Sequence, residues 1–192
     1  MSSSFESKES LLAEFQILWD DAEAIWNANL MESDFQGYVS SDFPGVFEEL
    51  YKLRGRVHTV LEWGSGLGVI AMMAARMGFS AYGIESEARI VQLAEELAEK
   101  HDSTATFMHG TFIPEEFEWE PEIGDEFQGT EMEGESAYDK LDMELRDFDL
   151  VFAYPWPDEH SLFHTIMREH GARNALLLTY DGREGISLTR MD

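Results

Sequence analysis

The fold is decided by a nine-residue run, Val60-Leu61-Glu62-Trp63-Gly64-Ser65-Gly66-Leu67-Gly68. Residues 57–62 predict a strand, and four apolar residues after the run recur at helical spacing: Ile70, Met73, Ala74 and Met77. Glycine suits such a junction because a side chain would block close approach of the backbone to a ligand, and many of the required φ values are positive. The following helix points its N-terminus at the same place. The run therefore predicts a ligand-binding turn between a strand and a helix.

Beyond this run, segments whose apolar pattern is typical of a strand alternate with segments whose pattern is typical of a helix. Strands are predicted over 80–85, 104–108, 148–153, 175–180 and 186–190, and helices over 88–100 and 160–170. This alternation predicts βαβ units. We expect an α/β fold: a single Rossmann-like three-layer sandwich with a mainly parallel sheet and helices on both faces.

The flanking and inserted segments complete the predicted organisation. Two amphipathic helices, over 8–31 and 44–53, form an N-terminal extension within residues 1–55. The core follows over 56–192 and contains an acidic insertion at about 114–147. Its composition predicts that it buries too little apolar area to act as a core element, apart from one short helix near its end. The whole chain, 1–192, is predicted to be one domain.

Charge is the most unusual global property, since 39 acidic residues against 13 basic ones give a formal net charge of −26. Binding to nucleic acids depends on cationic contacts with phosphates, so a nucleic-acid partner is disfavoured. A cationic partner is favoured, although acidity that merely provides solubility explains the same charge. The absence of cysteine excludes disulfides, thiolate metal sites and a cysteine nucleophile. Without an apolar run of 18 residues or a signal-like start, we expect a soluble cytoplasmic protein.

The spacing E-x-G-x-G-x-G differs from the G-x-G-x-x-G of most dinucleotide sites, and an acidic residue opens it. Here the chain resembles the class I S-adenosylmethionine-dependent methyltransferases, over most of residues 56–190. The resemblance implies that the cofactor is S-adenosylmethionine, leaving as S-adenosylhomocysteine, and that the opening acid lies near its methionine end. The loop residues that it places at the cofactor are Glu62, Trp63, Gly64, Ser65, Gly66 and Gly68.

Two further segments extend the predicted cofactor site. The resemblance places Glu85, at the end of the second strand, on the ribose hydroxyls, with Ser86 beside it. A carboxylate there would accept two hydroxyls and repel a 2′-phosphate, which disfavours NADP. After the third strand, Gly110, Thr111 and Phe112 are implied to contact adenine through backbone amides and a side chain. Phe112 either stacks on the base or belongs to the core.

The fourth strand ends in Tyr154-Pro155-Trp156-Pro157, where the resemblance places the methyl acceptor. This segment is similar in outline to the (D/N)-P-P-(Y/F/W) motif of nitrogen methyltransferases, but Tyr154 stands where that motif has Asp or Asn. We expect Tyr154, Trp156 and Asp158 to act on the acceptor by orienting it, forming an aromatic wall and holding a cation. The alternative is a rigid turn that only shapes the pocket. Glu159 is a further candidate for holding a cationic substrate or accepting a proton.

Other chemistries fit less well. His160 and His164 share a helical face, but surface histidines are ordinary, and no metal site is predicted. The expected function is methyl transfer from S-adenosylmethionine to an unidentified acceptor, a small molecule or protein rather than nucleic acid. The alternative is an inactive cofactor-binding or interaction module, because Trp63 is bulky for such a loop and only one strand is predicted after the fifth. A nicotinamide-dependent oxidoreductase fits the glycine spacing poorly.

Overall fold

The computed structural model describes residues 7–35, 39–119, 129–130 and 132–192. Within these ranges the strands are β1 (Thr59–Trp63), β2 (Ser80–Glu85), β3 (Thr106–His109), β4 (Leu150–Ala153), β5 (Leu176–Asp181) and β6 (Gly185–Arg190). The helices are α1 (Lys8–Asn29), α2 (Phe43–Leu53), α3 (Val69–Arg76), α4 (Ala88–Lys100), α5 (Ala137–Leu141) and α6 (His160–His170). Two short 3₁₀ helices lie at Ser33–Phe35 and Leu145–Asp147.

All six strands form one sheet in the order β3-β2-β1-β4-β5-β6. The first five are parallel, and β6 returns antiparallel to β5 as a hairpin. The connections run in opposite directions on either side of β1, so the sheet has a switch point between β1 and β4. A crevice forms at the carboxyl ends of the strands at such a point, and ligands bind there in open α/β sheets. The predicted Rossmann-like α/β architecture is confirmed.

Residues of β1 alternate between two cores, one on each face of the sheet. Val60 lies in the first core, with α1, α2, α3 and α4, and Leu61 in the second, with α6 and part of the acidic insertion. This alternation sends the Trp63 side chain into the second core. Helices therefore cover both faces, as a three-layer sandwich requires.

The N-terminal helices pack onto the first face rather than extending into solvent. Ser7 accepts a hydrogen bond from the Ser10 amide at 3.2 Å and caps α1. Within this layer Phe15 of α1 meets Phe47 of α2 edge to face, with ring centroids 5.6 Å apart. The Trp19 indole contacts the Met73 sulfur at 3.3 Å, which ties α1 to α3. The two helices thus complete the core beside the glycine loop.

The acidic insertion contributes more to the core than its composition predicts. Phe117, Ala137, Tyr138 and Leu145 are buried in the second core. Ala137, Tyr138 and Leu145 belong to the region of the one short helix that the sequence predicts, whereas Phe117 lies outside it, so the prediction that the rest of the segment adds nothing to the core is wrong at Phe117. Residues 120–128 and 131 lie outside the described ranges. Composition averaged over the segment hides the few apolar residues that lie towards its two ends. The predicted short helix is present as α5.

No helix among the described residues is both long enough and apolar enough to cross a lipid bilayer. The longest, α1, has 22 residues, but acidic and other polar groups occupy its outer face. Its buried residues, Leu11, Phe15, Leu18 and Ala22, form a stripe that packs on the protein's own core.

Candidate functional site

A cavity of about 1090 Å³ opens at the carboxyl ends of the parallel strands. Its walls come from the glycine loop after β1, the ends of β2 and β3, the segment 154–161 after β4 and the turn between β5 and β6. Ser40 and Ser41, between α1 and α2, and Phe43, the first residue of α2, close one side. The cavity therefore lies at the switch point of the sheet, and it brings together loops that are far apart in sequence.

The glycine loop forms a cradle in which a side chain would either strain the backbone or meet a neighbour. Gly64 has φ +60°, and a Cβ built there would meet no atom within 4 Å, so its backbone faces open cavity. Gly68 has φ +72°, and a Cβ there would collide with the Phe107 ring. Ser65 covers Gly83, where an added Cβ would lie 2.7 Å from the Ser65 hydroxyl oxygen. Close approach to the backbone is thus possible at Gly64, while Gly68 is needed for packing.

Glu62 lies beneath this loop and is only 5% exposed. Its Oε2 accepts a hydrogen bond from the Ala71 amide at 2.8 Å, which satisfies an amide in the first turn of α3. Burial, and to a smaller extent the nearby Glu85 charge, raises the pKa of Glu62 to about 8. Glu62 lines the cavity, and its hydrogen bond to α3 gives it a structural role as well. Its contact with the cofactor stays a prediction.

Glu85, at the end of β2, connects the glycine loop to the segment that follows β2 at the cavity wall. Its Oε2 accepts from the Gly66 amide at 2.9 Å, and its Oε1 accepts from the Glu87 amide at 3.0 Å and from the Ser86 hydroxyl at 3.3 Å. A carboxylate offers about four acceptor sites, so capacity remains for a hydroxyl of a ligand. Gly66 itself does not line the cavity but positions this carboxylate.

The loop after β3 differs in detail from what the resemblance implies. Gly110 and Thr111 line the cavity, but the Gly110 amide donates to the Glu85 carbonyl at 3.0 Å. The Thr111 amide donates to the Glu135 carbonyl, also at 3.0 Å. These two amides are engaged within the protein, so adenine contacts through them are not supported. Phe112 stacks on Trp63 with ring centroids 4.9 Å apart and also borders the cavity, so it has a packing role and an exposed edge.

Trp63 does not obstruct the loop, because its side chain points into the second core. It is 2% exposed, and its indole Nε1 donates to the Tyr138 hydroxyl at 2.9 Å. Burial raises the pKa of Tyr138, although the Trp63 hydrogen bond opposes that shift. The bulky residue thus joins the glycine loop to the acidic insertion instead of filling the ligand space.

The segment after β4 forms the opposite wall. Tyr154 meets Tyr180 edge to face at 4.8 Å, and burial, followed by the nearby Tyr180 and Asp181, raises the pKa of Tyr154. Trp156 is 37% exposed and lies over Gly129 of the acidic insertion, where an added Cβ would collide with the indole. Asp158 is exposed on the rim with φ +72°. All three predicted acceptor-site residues therefore border the cavity.

Glu159 has a different environment from its exposed neighbour Asp158. It is 3% exposed and accepts from the Gly129 and Thr130 amides, both at 3.1 Å, and from the Thr130 hydroxyl at 2.6 Å. This carboxylate therefore anchors the acidic insertion to the start of α6. The geometry supports an anchoring role and does not support the predicted contact with a substrate.

A histidine–aspartate pair that sequence reasoning did not assign to the site also borders the cavity. His160 Nε2 lies 3.2 Å from Asp181 Oδ2, and Asp181 Oδ1 accepts from the Arg183 amide at 2.7 Å. Hydrogen bonds from the amides of Glu184 and Arg183, then from His160, lower the pKa of Asp181. Burial lowers the pKa of His164, one turn along α6. The sequence contained one signal for a role of Asp181 at the site, namely its position at the carboxyl end of a parallel strand.

Carboxylates dominate the cavity wall. The acidic lining residues are Asp34, Glu62, Glu85, Glu87, Asp158, Asp181 and Glu184. Apart from His160, Arg183 is the one basic side chain among the described lining residues. The described ranges contain no group of three His, Asp or Glu side chains that could hold a metal ion. The electrostatic field in the cavity therefore favours a cation.

Comparisons with known proteins extend this geometry. No family model matches the chain, and no curated protein matches it either. Among solved structures, an RNA methyltransferase from Salinibacter ruber in complex with S-adenosyl-L-homocysteine is similar, with a TM-score of 0.55 and 19% identity. The match covers 80% of this chain and 92% of that one.

Two further solved structures resemble the chain at low identity. A putative caffeoyl-CoA O-methyltransferase from Staphylococcus aureus matches with a TM-score of 0.53 and 12% identity, over 87% of this chain and 72% of that one. A putative O-methyltransferase from Klebsiella pneumoniae matches with a TM-score of 0.53 and 14% identity, over 86% of this chain and 64% of that one. The sheet order, the glycine loop at its switch point and these likenesses together show that the chain has the class I methyltransferase fold.

Proposed function

We propose that the protein is an S-adenosylmethionine-dependent methyltransferase that binds its cofactor between the glycine loop and Glu85. The observation that carries this proposal is Gly64, whose positive-φ backbone faces open cavity at the switch point of the sheet. A bare backbone at this position lets a ligand approach the main chain closely. The likeness to a methyltransferase that contains S-adenosyl-L-homocysteine supports the same ligand class.

The residues present fit such a cofactor. Ser65 lines the cavity, and its hydroxyl group is buried and has no hydrogen-bond partner among the described residues. Buried polar groups normally have partners, so this hydroxyl suits a ligand atom. Glu85 would accept a ribose hydroxyl, and Glu62, Gly64 and Ser65 would surround the methionine end. When bound, S-adenosylmethionine supplies a methyl group that its sulfonium already activates.

The cavity has room for a second molecule. Small-ligand sites enclose roughly 300–1,000 Å³, and this cavity encloses about 1090 Å³. The space not needed by the cofactor lies beside Tyr154, Trp156 and Asp158, where the acceptor would bind. Alignment of acceptor and methyl group supplies most of the rate acceleration in such a transfer, so these residues would act chiefly by positioning.

The acceptor is proposed to be a small molecule or a protein rather than a nucleic acid. One structural neighbour is an RNA methyltransferase, but here the net charge is −26 and the cavity rim is acidic. Neutralising phosphates requires Lys or Arg side chains, and Arg183 is the one described on the cavity wall. An RNA acceptor would therefore meet repulsion at the site.

An inactive cofactor-binding or interaction module remains the second candidate. It is favoured by the described sheet, which has one strand after β5. The bulky Trp63, which first suggested it, carries no weight because its side chain lies in the second core. Binding of the cofactor without methyl transfer to any acceptor class would support this candidate.

The experiment that tests the proposal is isothermal titration calorimetry with S-adenosylmethionine, S-adenosylhomocysteine and NAD. We expect both adenosyl ligands to bind and NAD not to bind. Gly64→Ala should reduce their affinity at least tenfold, because the methyl group would project into the cavity. The control is Gly55→Ala, since Gly55 also has positive φ, +75°, and open space around it, but lies away from the cavity. Absence of binding at millimolar ligand would refute the proposal.

A further inference from the structure

We infer that the methyl acceptor is a small amine, positively charged in solution, which binds beside Trp156 and Asp158 and loses its proton to His160. This inference rests on the proposed methyl transfer and adds the substrate class and a proton acceptor. It is carried by three features of the wall opposite the glycine loop: its charge, its exposed indole and its histidine–aspartate pair.

The first feature is the charge of the rim. Asp158, Asp181 and Glu184 border this part of the cavity, and Arg183 is the one described basic neighbour besides His160. None of these three carboxylates has a Lys or Arg ion-pair partner among the described residues; the described partner of Asp181 is His160, at 3.2 Å. Unneutralised carboxylates in a cleft attract cations and repel carboxylate or phosphate substrates. An acceptor with a net negative charge is therefore disfavoured.

The second feature is the exposed aromatic surface. Trp156 is 37% exposed, borders the cavity, and is flanked by Pro155 and Pro157, which fix its backbone. The face of an indole attracts an ammonium group, and such contacts strengthen when water is excluded. An acidic rim beside an indole is the combination that recognises a cation attached to an apolar body.

The third feature is the pair formed by His160 and Asp181. One ring nitrogen of His160 lies 3.2 Å from Asp181, and the other makes no hydrogen bond within the part of the chain that the structure describes. A carboxylate on one nitrogen orients the ring and stabilises its protonated form, which leaves the other nitrogen to accept a proton. His160 also borders the cavity, so it can reach a bound acceptor.

An amine needs this proton acceptor, because an ammonium nitrogen has no lone pair with which to attack. The ammonium nitrogen would give one proton to His160, and its freed lone pair would form the new nitrogen–carbon bond. The carbon–sulfur bond breaks as this bond forms, and its electron pair stays on sulfur. The products are a methylated ammonium and a neutral thioether, and the proton on His160 passes to solvent.

The decisive experiment compares a cation with its neutral analogue. The protein is saturated with S-adenosylhomocysteine, and 2-phenylethylammonium and 2-phenylethanol are titrated separately by calorimetry at pH 7. We expect the cation to bind at least tenfold more tightly. Equal or tighter binding of the alcohol would overturn the inference while leaving the cofactor proposal intact. Failure of S-adenosylhomocysteine to bind would instead remove both.

A matched pair of variants locates the effect. Asp158→Asn removes the charge and tolerates φ +72°, since Asn adopts positive φ readily. We expect it to weaken binding of 2-phenylethylammonium three- to tenfold and to leave S-adenosylhomocysteine affinity unchanged. Asp102→Asn makes the same change at φ +49° on an exposed turn away from the cavity, and should have no effect. Equal effects of the two variants would show that only the global charge matters, and would overturn the inference.

The role of His160 has an independent readout in the NMR resonances of its imidazole ring. His160→Gln identifies these resonances by their loss. Saturation with 2-phenylethylammonium should shift them, because the ammonium group would lie against the ring nitrogen that does not face Asp181. Unchanged His160 resonances in the saturated complex would exclude this histidine as the proton acceptor.

Discussion

The two halves of the cavity are built in different ways. In the half formed by the glycine loop and the end of β2, backbone amides are held by the buried or half-buried carboxyls of Glu62 and Glu85. In the half formed by the segment after β4 and the β5–β6 turn, exposed side chains such as Trp156 and Asp158 face the cavity. The main chain therefore determines the shape of the first half, whereas exposed side chains determine the charge and the aromatic surface of the second half.

This difference indicates a division of tasks. A binding site formed by the main chain suits a ligand that is always the same, because few of its contacts depend on side chains that a substitution could change. Exposed side chains on a rim can determine which second molecule enters, since substitutions there disturb little packing. We therefore expect changes in the first half to affect folding and cofactor binding together, and changes in the exposed side chains of the second half to affect acceptor binding alone.

The largest expected effect is that of Gly68→Ala. The added methyl group would collide with Phe107, and alanine at φ +72° is strained. Overpacking costs about 1–3 kcal/mol and a left-handed conformation about 1–2 kcal/mol, so we expect a loss of about 3 kcal/mol in the free energy of unfolding. For a chain of this size, Tm should fall by about 6–12 °C in a thermal melt.

Gly55→Ala provides the matched comparison, because φ is +75° there and an added Cβ meets nothing within 4 Å. It should retain the backbone strain without the collision, and its loss of stability should be less than half as large. If the two variants melt together, the contact with Phe107 does not explain the need for glycine at position 68.

The second prediction breaks the anchor of the acidic insertion in the other half. In Glu159→Gln one oxygen that accepts from Gly129, Thr130 or both becomes an amide donor. Hydrogen bonds to a charged group contribute about 1.5–3 kcal/mol each, so urea denaturation should show a loss of about 2 kcal/mol. Affinity for S-adenosylhomocysteine should stay within about twofold, measured by calorimetry, because the cofactor half is untouched.

The control for this variant is Glu169→Gln, an exposed position on the same helix. It should leave both stability and ligand affinity unchanged. A large loss of S-adenosylhomocysteine affinity in Glu159→Gln would show that the two halves are coupled, contrary to the division proposed above.

The last prediction concerns the pH dependence of stability. Because the pKa of Glu62 is raised to about 8 in the fold, an unfolded chain ionises first, from its ordinary value of 4.5. Stability contributed by the protonated carboxyl is therefore present at low pH, falls as pH rises from about 4.5 to 8, and changes no further above that. Glu62→Gln removes this titration and keeps an acceptor for the Ala71 amide.

The free energy of unfolding of Glu62→Gln minus that of the natural protein should increase by at least about 1.4 kcal/mol when the pH is raised from 5 to 8.5. This figure is the equivalent of one pKa unit. Urea denaturation at both pH values measures the gain. Parallel pH profiles for the two proteins would mean that Glu62 is ionised in the folded protein throughout this range, and would contradict the raised pKa.

Sequence reasoning predicted the sheet and the strand–loop–helix turn at the glycine loop well because both depend on local patterns. Strands β1 and β2, helix α3 and the loop between them follow from apolar spacing and glycine positions within 30 residues. It failed for the start of the acidic insertion, where average composition hid the buried Phe117. It also misjudged Glu159, since a glutamate beside a predicted site looks the same whether it is exposed or 3% exposed.

By itself, the sequence determined the alternation of strands and helices, the bare backbone at Gly64 and the excess of negative charge. These are properties of single residues or of short periodic patterns, which local sterics and burial dictate. The tertiary structure alone decided that Trp63 turns into the second core, that Glu159 holds Thr130 and that His160 meets Asp181. Each of these depends on which segments the sheet order brings together, and no pattern within one segment contains that information.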